Sequence, residues 1–439
     1  MSFFVPASTP VLDEGSVPIL RRAFDQARRV GNYALVQAAV QIIAFSSGIL
    51  LVRWLPQREY AYFTIANSMQ ATLMLLADIG VSVGLVSIGG RVWQDRHRFG
   101  ELINTGLAVR KKLAAVAAII VAPILYAMLA RNGASSIYTL LLIGVVLAGF
   151  AIQISVDIFS VVPRLRSDIG RIQKIDFSCA IARLLLILGL VYLFAIAGLA
   201  VAIASATFLL QYFLLRAYAA KVVDLKANEN AEDRHEIVRL VKSLAANTLF
   251  YCFQGQITVF LISFFARHAA SVAEVGALGR LAMIFTVLTN LLINIFVPAF
   301  ARCQDKGKLR WLYAAIVGGV ALFSLAVLCA AAFLPNQFLF VLGNRYSHLH
   351  RELLLMIGVA VITALSGTLW LLNASKAWVS GAWLYIPLTL VTQIALIPFT
   401  DFSSVAGVLV FNLISAAPSL LLNLALSYRG FRNFAPAVG

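Results

Sequence analysis

Residues 50–82 read LLVRWLPQREYAYFTIANSMQATLMLLADIGVS. One apolar run closes near Arg53, a short polar turn passes through Pro56 and Glu59, and a second apolar run extends from about Ala61 to Gly90. A helix needs about 20 apolar residues to cross a bilayer. Asp78 sits well inside the second run, with Gly80 two residues later. A carboxylate at that depth is expensive and usually faces a bundle interior.

The pattern recurs along the whole chain. Of 439 residues, 61% are hydrophobic and only 12% are charged, where a soluble domain carries about 25% charged residues. Mean hydropathy is +0.89. The apolar runs and the charged breaks between them predict an all-α polytopic membrane protein with twelve transmembrane helices. In the first half these fall at about 32–53, 61–90, 113–130, 138–162, 177–196 and 198–216. In the second they fall at about 244–266, 278–301, 311–333, 352–373, 380–398 and 405–427.

Lys and Arg predict the orientation. With the N-terminus inside, 27 of the 35 basic residues fall in cytoplasmic segments. Seven fall outside: Arg53, Arg58, Arg131, Arg267, Arg280, Arg345 and Arg351. Arg183 lies within a span. Both termini are therefore expected in the cytoplasm. The net charge of +16 is accounted for by basic loops against an anionic leaflet, without a nucleic-acid partner.

The organisation expected is two six-helix bundles, 32–216 and 244–427, joined by a polar cytoplasmic linker, 217–243. A cytoplasmic N-terminus, 1–31, precedes them and a tail, 428–439, follows. Residues 17–30, VPILRRAFDQARRV, read as a basic amphipathic helix at the membrane surface. Pro6, Asp13, Glu14 and Pro18 interrupt the first 20 residues, so no signal-peptide core is expected there. At an offset of 215, Asn32 meets Asn247, Gln41 meets Gln256 and Glu59 meets Glu274. With matching six-span layouts, these favour two parallel repeats with a binding site between them.

Helical spacing sorts the polar residues inside the spans. At 100° per residue, Thr64, Asn67, Asp78 and Ser82 share an arc of about 60°. Gln153, Asp157 and Ser160 share another, with Arg164 continuing it. Asp176 and Arg183 share a face of span 5. Asn247, Tyr251, Gln254 and Thr258 line up on span 7, and Gln37 and Gln41 lie one turn apart on span 1. Together they outline a polar cavity lined from both halves. Two alternatives stay open. The Asn, Gln and Ser side chains could serve only to hydrogen-bond neighbouring helices, and Asp78, Asp157 and Arg183 could form Asp–Arg pairs that fix helix positions.

The sequence has no HExxH or Walker A motif and no metal-spaced Cys/His cluster, so energy would have to come from a gradient or from the membrane potential. Cys179, Cys252, Cys303 and Cys329 are scattered and read as free thiols. His348 and His350 read as loop residues, and the sequon at Asn373 falls on the cytoplasmic side. No metal or cofactor is expected.

Two segments now carry a resemblance. The turn Leu55-Pro56-Gln57-Arg58-Glu59-Tyr60-Ala61 is similar to a Gly-Pro-Glu-Glu-Tyr-Gly-like turn, without the glycines. The segment Ala77-Asp78-Ile79-Gly80 is similar to an Ala-Asp-Leu-Gly-like element. Together they resemble the start of bacterial polysaccharide flippases, the Wzx-like branch of the multidrug/oligosaccharidyl-lipid/polysaccharide (MOP) exporter superfamily. The length and the six-plus-six layout fit over the entire chain.

The resemblance implies a non-enzymatic flippase of the bacterial inner membrane. Its cargo would be an undecaprenyl-pyrophosphate-linked oligosaccharide for O-antigen, capsule or exopolysaccharide. Coupling would be to a proton or sodium gradient, and the partners would be the bilayer and other membrane proteins of polysaccharide assembly. Arginine suits a pyrophosphate. Arg183 and Arg164 are the first candidates, with Arg280, Arg53 and Arg131 toward the release end. Asn67, Gln153, Asn247, Gln254, Asp78 and Asp157 would bind sugar, and the two aspartates would also tune the arginines or carry a coupling proton. Two rival readings remain: a drug/cation antiporter of the same superfamily, whose span 1 should hold a carboxylate that this chain lacks, and a membrane polymerase or ligase, which should have a larger outside loop.

Overall fold

The computed structural model describes residues 19–166, 168–266 and 268–433, and these residues are helical almost throughout. The first half contains α1 (Ile19–Trp54), α2 (Gln57–Asp78), α3 (Val81–Val92), α4 (Arg96–Arg131), α5 (Ser136–Leu165), α6 (Ile169–Leu186), the short α7 (Tyr192–Phe194) and α8 (Ala197–Val222). The second contains α9 (Ala231–Phe265), α10 (Ala269–Ala282), α11 (Ile284–Leu291), α12 (Val297–Arg302), α13 (Lys306–Phe333), α14 (Pro335–Leu342), α15 (His350–Ser375), α16 (Tyr385–Leu396) and α17 (Val405–Asn433). Among the described residues, eleven stretches are long and apolar enough to span a membrane. They become twelve when the bent pair α2–α3 is taken as one span. The protein is a multi-pass, all-α membrane protein.

The amphipathic character expected of residues 17–30 lies outside the described residues. From Ile19 onward the backbone is helix, continuous with the first span. Of the segment expected as a linker, only residues 223–230 are not helical. They are pinned to the first half: Asn104 Nδ2 donates to the carbonyls of Leu225 (3.2 Å) and Ala227 (2.7 Å). His97 Nδ1 lies 2.9 Å from Asp224 Oδ2. This contact holds the exposed Asp224 carboxyl below the usual carboxylate range.

The continuous second span read from 61 to 90 is in fact broken. The helix bends by 46° between α2 and α3. Ile79 has φ 21° and Gly80 has φ 88°, a left-handed conformation that a residue without Cβ adopts at little cost. A Cβ on Gly80 would also lie 2.8 Å from Leu244 Cδ1 of α9. Asp78 Oδ1 accepts from both the Ser82 backbone N–H (3.1 Å) and its hydroxyl (2.6 Å), so the carboxylate closes the first turn of α3.

Three clusters of buried apolar side chains hold the bundle. The largest joins both halves near the α1–α2 turn, with Leu51, Tyr60 and Phe63 from one half and Leu278, Tyr346 and Ile357 from the other. The second lies at the opposite, basic end of the first half, around Leu85, Phe99 and Phe159, and takes in Ile237 and Val241 of α9. The third, around Phe300, Leu309 and Leu372, belongs to the second half.

The halves are also tied at both ends by polar contacts. At the α1–α2 turn, Arg53 donates to the carbonyls of Val341 (2.9 Å) and Phe340 (2.6 Å), and Arg345 donates to the carbonyl of Leu55 (2.7 Å). At the basic end, Arg98 makes two 2.6 Å bonds to the buried Asp233, and Arg91 reaches Glu236 at 2.8 Å.

Candidate functional site

The helices arrange the polar side chains in three groups. The first group lies within the first half. Arg110 of α4 is 2% exposed; its Nη2 is 2.8 Å from Asp157 Oδ2 and its Nη1 is 3.9 Å from Asp78 Oδ1. The arginine facing both aspartates is therefore Arg110, not Arg183 or Arg164. Gln153 of α5 accepts from Gln70 Nε2 at 3.1 Å, and Ser160 donates to the carbonyl of Asp157 on its own helix. The reading of residues 91–112 as a basic loop placed Arg110 at the surface. In the structure α4 begins at Arg96 and carries Arg110 inward, on the buried line Gly106, Arg110, Ala114, Ala117 and Val121. That spacing of three and four residues is present in the sequence.

The second group surrounds a cavity of about 300 Å³ between the halves. Thr64, Asn67 and Ser68 of α2 face Gly255 and Gln256 of α9 and Arg280 of α10. Ser68 donates to Gln256 Oε1. The four-residue stripe predicted on span 2 is thus divided. Thr64 and Asn67 line this cavity, while Asp78, at the far end of the same helix, faces Arg110, and Ser82, beyond the bend, hydrogen-bonds Asp78.

Arg280 is the cation of this cavity. Its Nε approaches Tyr60 Oη at 3.4 Å and its guanidinium lies 5.8 Å over the ring of Phe63. It rests on Gly48 of α1, where a Cβ would come within 3.2 Å of its Cδ. Among the described residues, no carboxylate pairs with it. Counted above with the outer loops, it belongs to a spanning segment. Arg183 of α6 does not border this cavity, and its buried Nε has no hydrogen-bond partner among the described residues.

The third group lies within the second half. Tyr251, Gln254 and Thr258 of α9 line a cavity of about 470 Å³ with residues of α15, α16 and α17. Gln254 and Gln393 exchange two hydrogen bonds, of 3.0 and 2.8 Å. Asn412 donates to Thr258 Oγ1 at 2.6 Å.

Other candidates stand apart. Arg164 is exposed at the end of α5. Asn247 is exposed on α9 and does not border the second-half cavity. Arg53 is occupied by the carbonyls of α14. Asp176, expected on one face with Arg183, accepts from Gln211 Nε2 at 3.0 Å. His348 pairs with Glu274 at 3.4 Å, and the described residues contain no group of three side chains that could hold a metal ion. Asn373 is fully buried, bonded to the Asn423 carbonyl and to Ser427 Oγ.

No family model matches the chain, and no curated protein matches it. Solved structures do. An inward-facing multidrug resistance MATE family transporter of the MOP superfamily superposes with a TM-score of 0.62 at 15% identity, covering 92% of this chain and 100% of that one. The lipid II flippase MurJ, in an inward closed conformation, gives a TM-score of 0.72 at 9% identity, covering 91% and 89%. The chain shares the fold of these solved structures. A MATE protein in complex with MaD5 agrees, with a TM-score of 0.60 at 16% identity and coverage of 91% and 95%. At these identities the likeness concerns the fold.

Proposed function

We propose that this protein is a flippase. It carries an undecaprenyl-pyrophosphate-linked oligosaccharide across the bacterial inner membrane by alternating access, for surface polysaccharide synthesis, and both its termini lie in the cytoplasm. One observation carries the reading. Arg280 borders the cavity between the halves, and among the described residues no carboxylate pairs with it. A guanidinium without a carboxylate in a low-dielectric setting calls for an anion, and a pyrophosphate supplies two or more negative charges and several acceptor oxygens. The likeness to MurJ, a lipid II flippase, supports a lipid-linked cargo.

A drug/cation antiporter would need a free carboxylate in this cavity. Asp78 and Asp157 are engaged by Arg110, and among the described residues no acidic side chain borders the cavity between the halves. We assign Arg183 and Arg280 to the pyrophosphate and the Arg110 group to fixing helix positions. The driving force is a proton or sodium gradient, or the cargo's own gradient.

The test is flipping of a lipid-linked repeat unit in cells lacking the chromosomal copy. Without the protein, repeat units should accumulate on the cytoplasmic leaflet. Arg280→Ala and Arg183→Ala should each reduce flipping by about tenfold or more, as expected for the loss of one charge-assisted contact, with the protein still folded in the membrane. Normal surface glycan in the deletion strain, or full transport by both variants, would sink the proposal.

A further inference from the structure

The cavity in the second half has a composition unlike the rest of the polar interior. Among the described residues, no Asp, Glu, Lys, Arg or His borders it. Its polar groups are amides and hydroxyls, and several are unanswered. Ser366 Oγ, Ser415 Oγ and Asn423 Oδ1 are buried without a hydrogen-bond partner, and all three residues border the same cavity. A buried polar atom left unpaired is costly, and three around one cavity mark a place for a ligand rich in hydroxyls. One wall is aromatic: Tyr251 and Tyr385 stack with centroids 5.2 Å apart and planes 12° from parallel, and Trp370 stands 40% exposed nearby. Flat apolar faces beside uncharged donors and acceptors suit a pyranose ring, which is apolar on its faces and polar at its rim.

Position adds to composition. Gly255 and Thr258 of α9 border this cavity on one side and the cavity holding Arg280 on the other. A Cβ on Gly255 or on Gly367 would meet nothing within 4 Å, so both glycines face open space. One ligand can therefore place an anionic group at Arg280 and a neutral group in the second-half cavity.

We propose that the cavity among α9, α15, α16 and α17 binds an uncharged saccharide, the sugar portion of the anionic lipid held at Arg280. This rests on the flippase reading and goes further, because it names the half that reads the sugar and excludes an acidic sugar from that position. Burying a carboxylate there would leave it without a counter-charge.

The full chain in nanodiscs can be titrated with three probes: bare polyprenyl pyrophosphate, the same lipid bearing N-acetylglucosamine, and the same lipid bearing glucuronic acid. The N-acetylglucosamine lipid should bind about tenfold more tightly than the bare lipid, the scale of one or two net hydrogen bonds. The glucuronic acid lipid should show no such gain. Gly367→Leu should fill the cavity and abolish the gain while leaving the bare-lipid affinity within about twofold. Should that variant fail to fold, Ser366→Ala with Ser415→Ala removes only unpartnered hydroxyls and should reduce the gain at least threefold. Equal binding of the bare and N-acetylglucosamine lipids, a gain for the acidic sugar, or a gain that survives the substitutions overturns the inference. Arg280-dependent binding of the bare lipid would leave the flippase reading standing in each of those cases. Failure of all three lipids to bind would overturn both.

Discussion

Where α2, α4 and α5 meet, one polar group is charged and faces its counter-charges within the protein: Arg110, 2% exposed, stands against both Asp157 and Asp78. Around the cavity lined by α9, α15 and α17 the polar groups are neutral, and Ser366, Ser415 and Asn423 each leave an atom without a hydrogen-bond partner among the described residues. Between these regions stands Arg280, charged and without a carboxylate partner. The contrast separates two uses of polarity inside a membrane protein. A charge satisfied from within fixes helices relative to one another. A polar group left unsatisfied beside open space waits for something that is not protein. Magnitude decides which arrangement can be left open. Stranding a buried charge costs about 3–5 kcal/mol, and stranding a neutral group costs about 1–3 kcal/mol.

The first way to break this comparison is to strand the charges. Arg110→Ala leaves two carboxylates without their counter-charge and should destabilise the protein by about 3–5 kcal/mol, read as thermal unfolding in detergent. The triple variant Arg110→Met, Asp78→Asn, Asp157→Asn removes the charges together and should recover most of that loss. An Arg110→Ala protein that unfolds like the wild type would show that the group does not hold the helices. The two halves would then no longer differ in the way argued here.

A smaller effect is expected where backbone and packing meet at the bend. Gly80 has φ 88° and faces Leu244 at close range. Gly80→Ala should cost about 1–3 kcal/mol, the strain of a left-handed non-glycine residue. Gly84, four residues on, has no positive φ, and a Cβ there would lie 3.1 Å from Ile237 Cγ1. Gly84→Ala should therefore cost less than Gly80→Ala. Thermal unfolding of the pair checks the order. Equal losses would assign the role of Gly80 to packing on α9 alone, and the bend would no longer need it.

The spans could be read from the sequence because the bilayer imposes a length and an apolar composition that no local feature can counterfeit. Asn67, Gln153 and Gln254 could be placed on interior faces because each lies in an unbroken helix. The pairings could not. Asp78 shares a helical face with Thr64, but a shared face does not say that the two stand far apart along α2 and meet different neighbours, Arg110 for one and the cavity of Arg280 for the other. Arg110 falls in the basic segment from Arg91 to Lys112, which the positive-inside rule assigns as a whole to the cytoplasm. Only its place on the line from Gly106 to Val121 marked it as buried. Arg280 was visible as a charge near a span end. That it stands across from Asn67 with no carboxylate depends on how the two halves meet, and no single helix encodes that.

The smallest effect sharpens the comparison from the neutral side. Gln254 and Gln393 form the one reciprocal amide pair found among the described residues of the second half. Interhelical hydrogen bonds in membranes are worth about 0.6 kcal/mol on average, because the separated helices find other partners for the same groups. A double-mutant cycle with Gln254→Leu and Gln393→Leu should give a coupling of that size, and the double variant should be close to the wild type in stability. Gln393 is 6% exposed, so Gln254→Leu alone leaves a buried amide unpaired and should be the worse of the two. A coupling as large as the Arg110 effect would mean that the second half also uses its polar interior to fix helices. Its unanswered hydroxyls would then be the exception there, and the case for a ligand would rest on those three atoms alone.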